Sequence, residues 1–205
     1  MVKDRLYKTA SSLALFTIGY NLAEGLISVL FGVEDGSLSL AGFGFDSFIE
    51  VISGIGIAHM ILRIKNNSEI SNDGFERTAL RITGFSFYIL VAGLLISVIS
   101  NVLSGRNPVT TLPGIIVSLI SILVMLILLR AKLKVGKQLD SEAILADAEC
   151  TRVCIYMSGI LLLSSTVFQI TKLPYIDSAG TLGLAYYSFR EGRECFEKAK
   201  PDPDQ

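Results

Sequence analysis

Charged residues and cysteines are both scarce in this sequence of 205 residues. Only 18% of the residues are charged, and no basic patch with interleaved aromatics occurs outside the loops, which argues against nucleic-acid binding. The three cysteines, Cys150, Cys154 and Cys195, lack the paired extracellular spacing of a disulfide framework. The sequence also has no arrangement of nucleophile and base and no phosphate-binding motif, so it does not predict an enzyme.

Apolar residues, by contrast, are abundant and fall in long blocks. They make up 51% of the chain, and the mean hydropathy is +0.56. Because a helix crosses a bilayer with about 20 apolar residues, the blocks predict an all-α integral membrane protein, a six-helix transmembrane bundle within residues 1–198 and a short cytoplasmic tail, 199–205. The sixth block is short and begins with polar residues. The predicted spans lie at about 11–32, 38–62, 83–103, 110–129, 143–169 and 174–190.

Lysine and arginine are concentrated on one side of the predicted bundle. Of the 18 basic residues, 15 lie before the first span, after the sixth, or in the connections that follow the second and fourth spans. Residues 63–81 are the polar connector after the second span, and Lys132 belongs to the connection after the fourth. Because cytoplasmic loops carry the excess of Lys and Arg, both termini are predicted to be cytoplasmic. Such a topology requires an even number of spans and supports counting the sixth.

Two carboxylates interrupt the apolar second span, in the segment AGFGFDSFIEVIS. Asp46 and Glu50 are four residues apart, so their side chains project from one face of a helix. An acidic side chain at the centre of a membrane helix costs about 2.5–3.5 kcal/mol on insertion scales, and two like charges repel each other. A proton or a cation is therefore expected to neutralise the pair, and we interpret the segment as a functional site.

A second pair with the same spacing lies in the fifth span, in SEAILADAECTRVCIYMSG. Asp147, Cys150 and Cys154 fall on one helical face, and the two cysteines repeat the spacing of the acidic pair. Two thiolates and two carboxylates that converge from two helices would form a four-coordinate cation site, in which sulfur favours softer metals such as zinc or cadmium. The alternative is that each cysteine is a small apolar residue of a membrane helix.

The chain resembles the cation diffusion facilitator family over nearly all six spans. GSLSLAGFGFDSFIE is similar to the family's second-span stretch, in which Asp46 and Glu50 occupy the metal positions. SEAILADAECTRVC is similar to the fifth-span pattern, and Cys150 and Cys154 stand where the family usually has His and Asp. The resemblance therefore implies a metal site made of these four residues. Because the fifth-span pair is Cys and Cys, the identity of the metal cannot be taken from the family.

The family resemblance further implies a homodimer that exports a divalent metal cation, zinc-like in its chemistry, from the cytoplasm in exchange for protons. Asn21 in the first span and Asp177 at the start of the sixth also match family positions. No prosthetic group is expected, and the cytoplasmic domain that usually follows the sixth span is expected to be absent. An alternative of another class is a membrane binding or scaffold protein whose cysteine pair responds to metal or redox state without transport.

Three further acidic residues are candidates for supporting carboxylates or for a cation path: Glu24, Asp147 and Asp177. Glu24 is a lone acid in the first span, and its alternative role is to face the bundle interior and bond to Ser or Thr. Arg152 lies roughly 200° around the helix from Cys150 and is predicted to pair with Glu149, with Asp147 or with a second protomer rather than to bind a cation.

Overall fold

The computed structural model describes residues 2–65, 73–105, 107–173 and 175–200. Within these ranges the backbone forms six α-helices and no strand, which confirms the predicted all-α class. Helices α1 to α5 are long and apolar enough to cross a membrane, so the chain is a multi-pass integral membrane protein. The helices are α1 (Val2–Asp35), α2 (Leu38–Lys65), α3 (Asp73–Ser104), α4 (Leu112–Leu139), α5 (Glu142–Thr171) and α6 (Ile176–Lys198).

Several helices run well past the apolar blocks that predicted them. Helix α3 begins at Asp73 rather than near 83, and α4 ends at Leu139 rather than near 129. The prediction that residues 73–81 belong to a polar connector is therefore wrong. A helix satisfies its own backbone hydrogen bonds whatever its side chains are, so it continues after the apolar run has ended. Residues 66–72 of that connector and 201–205 of the predicted tail lie outside the described residues.

Helix α6 differs from the other five in its composition. It is not apolar enough to be identified as a span on length and hydropathy alone. Its first turn contains Asp177, and its last third, from Arg190 onward, is rich in charge. The remaining apolar stretch is short, in agreement with the weak sixth block in the sequence.

Helix α2 lies at the centre of the bundle and contacts each of the other five helices. Tight turns at Gly36 and Asp140, both with positive φ, make antiparallel hairpins of α1 with α2 and of α4 with α5, while α3 packs against α6. The main apolar core surrounds α2, and the outer faces of the helices expose large apolar side chains, as expected for contact with lipid. Leu40, Phe43, Ile49, Phe87, Leu90, Leu94, Met157, Leu161, Leu184 and Ala185 form this core.

Glycine allows α1 and α2 to approach closely. A Cβ atom on Gly44 would lie 2.8 Å from the backbone nitrogen of Val29 and 2.9 Å from the carbonyl oxygen of Gly25. Both neighbours are backbone atoms, which cannot move aside as a side chain does. Small residues of this kind are typical of helix contacts in membranes, and this one fixes the position of α2 against α1.

We expect Gly44→Ala to destabilise the protein by about 1–3 kcal/mol, because the added methyl group would force the two backbones apart. Gly19→Ala is the matched control, since a Cβ atom on Gly19 would meet no atom within 4 Å. Thermal unfolding of both purified variants in one detergent measures the difference. Equal midpoints for Gly44→Ala and Gly19→Ala would contradict the close contact.

Candidate functional site

A cavity of about 50 Å³ lies inside the bundle and is lined by side chains from all six helices. This volume has room for a few water molecules. The structure brings the four residues that the sequence predicts as metal ligands to this one cavity: Asp46 and Glu50 from α2, and Cys150 and Cys154 from α5. Each pair spans about one helical turn, and both pairs line this cavity.

Glu50 connects three helices at the cavity. The thiol of Cys154 donates a hydrogen bond to Glu50 Oε1 at 2.6 Å, and Asn21 Nδ2 of α1 donates to Glu50 Oε2 at 2.8 Å. Asn21 was noted in the sequence only for its match to a family position. It holds the carboxylate of Glu50 in place toward α5.

Asp46 is almost completely buried, with 2% of its surface exposed. Its Oδ1 atom has no hydrogen-bond partner in the described part of the chain. An unpaired buried acceptor costs about 1–3 kcal/mol, so native proteins rarely leave one without a water, an ion or another partner. Because Asp46 lines the cavity, its carboxylate is a candidate to accept a cation there.

The four predicted ligands share the cavity without forming a coordination shell. Within the ranges that the structure describes, no three His, Cys, Asp or Glu side chains are grouped closely enough to hold a metal ion. Glu50 is instead occupied by Asn21 and Cys154, and the sulfur of Cys154 also lies 3.2 Å from the carbonyl oxygen of Cys150. Coordination would therefore exchange these hydrogen bonds for bonds to the metal.

Lys132 is the main correction to the sequence interpretation. The sequence assigned it to a cytoplasmic connection, but it lies in α4 and its side chain is 1% exposed. Its Nζ atom donates hydrogen bonds to Asp147 Oδ1 and to Thr151 Oγ1, each at 2.9 Å. The prediction was wrong because α4 extends ten residues past the apolar block, which carries a basic residue into the bundle.

A signal for the burial of Lys132 was present in the sequence. The buried residues of α4 recur at intervals of three and four, and Lys132 continues that stripe. The run of positive charge at 130–137 obscured it, since such runs usually lie in solvated loops. The stripe consists of Gly114, Ser118, Ser121, Met125, Leu128, Lys132, Val135 and Gly136.

Two more polar residues at the cavity were not predicted as part of the site. Glu191 and Cys195 of α6 both line it, and they too are four residues apart on one helical face. The sequence placed them after the end of the sixth span, where the apolar block had already stopped. Their spacing, equal to that of the other two pairs, was the available signal.

Glu24 and Asp177 do not line the cavity. Glu24 is buried and accepts hydrogen bonds from Tyr20 at 2.8 Å and from Ser47 at 3.1 Å. Glu24 thus faces the bundle interior and is hydrogen-bonded there. One of its partners, Ser47, directly follows Asp46 in the chain. Arg152 pairs with the exposed Glu149 at 2.7 Å, which confirms the prediction that it points away from the site.

Asp177 instead caps the beginning of α2. Its carboxylate accepts hydrogen bonds from Ser37 Oγ at 2.7 Å, from the backbone N–H of Leu38 at 2.7 Å and from Ser39 Oγ at 2.5 Å. A negative charge at a helix N-terminus is favourable because the first N–H groups have no partner within the helix. Asp177 therefore anchors α6 to the end of the helix that carries the acidic pair.

Comparison with known proteins gives one family. The family model of the cation efflux transmembrane domain matches residues 13–201, a range that contains every residue lining the cavity. No curated protein matches the chain.

We expect Asp177→Ala to lower the free energy of unfolding by about 1–3 kcal/mol, because it removes the acceptor for several buried donors. Since Asp177 does not line the cavity, a cation affinity measured there should change by no more than about twofold. Glu194→Ala is the control, since its ion pair with Lys198 is exposed and surface pairs contribute little. Thermal unfolding and calorimetric titration with zinc measure the two effects. A tenfold loss of affinity at unchanged stability would place Asp177 on the cation path instead.

Proposed function

This chain belongs to the cation efflux family of membrane transporters, and we propose that it carries a zinc-like divalent cation out of the cytoplasm in exchange for protons. The proposed ligands are Asp46, Glu50, Cys150 and Cys154. A transporter of this kind binds its cargo inside the bundle and then opens to the other side, so the metal is a substrate and not a resident cofactor.

The observation that carries this proposal is the meeting of the acidic pair and the thiol pair at one cavity. Cys154 already contacts Glu50 across α2 and α5, which is the contact that a shared metal ion would require of the two helices. Paired thiols and carboxylates are ligands that zinc accepts readily. Magnesium and calcium prefer shells made only of oxygen, so the thiols favour a softer cation.

Charge links metal binding to protons. Four deprotonated ligands around one divalent ion would leave a net charge of about −2 in a region of low dielectric constant, which is costly. We therefore expect one ligand or more to keep its proton, and the others to release theirs as metal binds. Because protons and metal compete for the same atoms, affinity for the metal should rise with pH.

The proposed direction of transport comes from the family resemblance, while the charge bias of the sequence supports cytoplasmic termini. With that orientation, Glu191 and Cys195 near the end of α6 would lie at the cytoplasmic mouth of the cavity. The homodimer that the family resemblance implies is retained as part of the proposal, and the mass of the protein in lipid nanodiscs measures it.

Proteoliposomes with a pH gradient test the proposal. We expect zinc or cadmium flux in the parent, and a loss of at least about tenfold in Asp46→Asn and in Cys150→Ser because each removes a ligand. Arg152→Gln is the control, since this exposed side chain pairs with Glu149 outside the site. Calorimetric titration should show high zinc affinity in the parent and in Arg152→Gln and low affinity in Asp46→Asn and Cys150→Ser. Zinc should bind more tightly at higher pH.

Two results would contradict the proposal. Stoichiometric metal binding without flux under any pH gradient would mean that the protein binds metal and does not transport it. Parent-like binding and flux in the double variant Cys150→Ser, Cys154→Ser would mean that the thiols only fill space, and the site would then have to be rebuilt around the carboxylates.

A further inference from the structure

Lys132 is a basic residue in the lining of a cavity whose other ionisable side chains are acids and thiols. Four carboxylic acids line the cavity: Asp46 and Glu50 on α2, Asp147 on α5 and Glu191 on α6. Among the described residues Lys132 on α4 is the one basic residue in its lining. The ammonium group thus has the charge sign of the cation that the site is proposed to bind.

The ammonium group of Lys132 is buried and held by two hydrogen-bond acceptors on α5. It is 1% exposed and donates to Asp147 and Thr151, both at 2.9 Å. Thr151 Oγ1 in turn donates to the carbonyl oxygen of Asp147. A buried lysine retains its charge only where such partners offset the loss of water, and here α5 supplies both of them.

Asp147 is the carboxylate that this ammonium group occupies. It precedes Cys150 by three residues, so it lies on the helical face that carries Cys150 and Cys154. The sequence predicts it as a supporting carboxylate or part of a cation path, and in the cavity it could serve as a further oxygen ligand. Its ion pair with Lys132 removes it from that role in the structure.

We propose that Lys132 is a tethered competitor of the metal cation, which holds Asp147 out of the coordination shell and thereby sets the affinity and the metal preference of the site. This inference rests on the proposed function. With Asp147 withheld, the thiols form a larger part of the shell and a soft cation is preferred. With Asp147 released, an additional oxygen ligand favours harder cations such as manganese.

If Lys132 competes with the metal, substitutions of Lys132 and of Asp147 should change zinc affinity in opposite directions. Loss of the ammonium charge in Lys132→Met or Lys132→Gln should tighten zinc binding by about tenfold or more, because a positive charge is removed and a carboxylate is freed near the metal. Asp147→Asn should weaken zinc binding, since it leaves the ammonium group facing the cavity without its counter-ion. The double variant Lys132→Met, Asp147→Asn should return toward the parent, and Lys132→Arg should stay close to it.

Calorimetric titration of the purified full chain with zinc and with manganese tests this cycle, and thermal unfolding confirms that each variant is folded. The expected result is tighter zinc binding for the Lys132 variants, weaker binding for Asp147→Asn, and a larger gain for manganese than for zinc on loss of Lys132. Lys132→Gln, which retains hydrogen bonding, supplies the neutral variant if Lys132→Met does not fold.

Other outcomes separate this inference from the proposed function. If the pair only joins α4 to α5, both single variants lose stability and their affinities move in the same direction or not at all, which overturns the competition. Unchanged preference between zinc and manganese overturns the role in selectivity. Absence of zinc binding in the parent contradicts the proposed function itself, whatever the Lys132 variants do.

Discussion

Carboxylates buried inside a membrane bundle need a compensating charge or hydrogen bond, and the structure of this protein is arranged around that need. Asp46 and Glu50 lie on the central helix, where water is replaced by packed side chains. Glu50 accepts hydrogen bonds from the amide of Asn21 on α1 and the thiol of Cys154 on α5. Asp147 forms an ion pair with the ammonium group of Lys132, and Glu24 accepts hydrogen bonds from two hydroxyl groups. Asp46 lines the cavity and has an Oδ1 atom without a partner among the described residues, so it still lacks part of this compensation.

Helix α2 is fixed by contacts at several points along its length. At one end the carboxylate of Asp177 binds the first turn of α2, and in the middle Gly44 allows α1 to approach its backbone closely. Cys154 and Glu50 then join α2 to α5 at the cavity. A change in the relative position of α2 and α5 would separate the acidic pair from the thiol pair. In the proposed transport, a relative movement of these two helices would separate the ligands and so weaken the binding of the cation.

Periodicity was sufficient to predict the two pairs, because the four-residue spacing of Asp46 with Glu50 and of Cys150 with Cys154 is a property of a helix alone. The same reasoning predicted that Arg152 points away from the site, whereas the all-helical class followed from the length of the apolar blocks. Lys132, Glu191 and Cys195 were missed because span ends were taken from hydropathy, while the helices continue into charged sequence and carry these side chains to the cavity. The partners of Glu50 and Asp147 depend on how helices far apart in sequence pack, and no local pattern specifies that.

The central claim is that thiols and carboxylates from α2 and α5 bind one metal ion together. X-ray absorption spectroscopy of the zinc-loaded protein tests it most directly, since sulfur and oxygen ligands differ in distance and scattering. The account predicts a four-coordinate shell with two sulfur atoms at about 2.3 Å and two oxygen atoms at about 2.0–2.2 Å. The sulfur contribution should disappear in the variant that replaces both Cys150 and Cys154 by Ser. A shell made only of oxygen or nitrogen atoms in the parent protein would contradict the account.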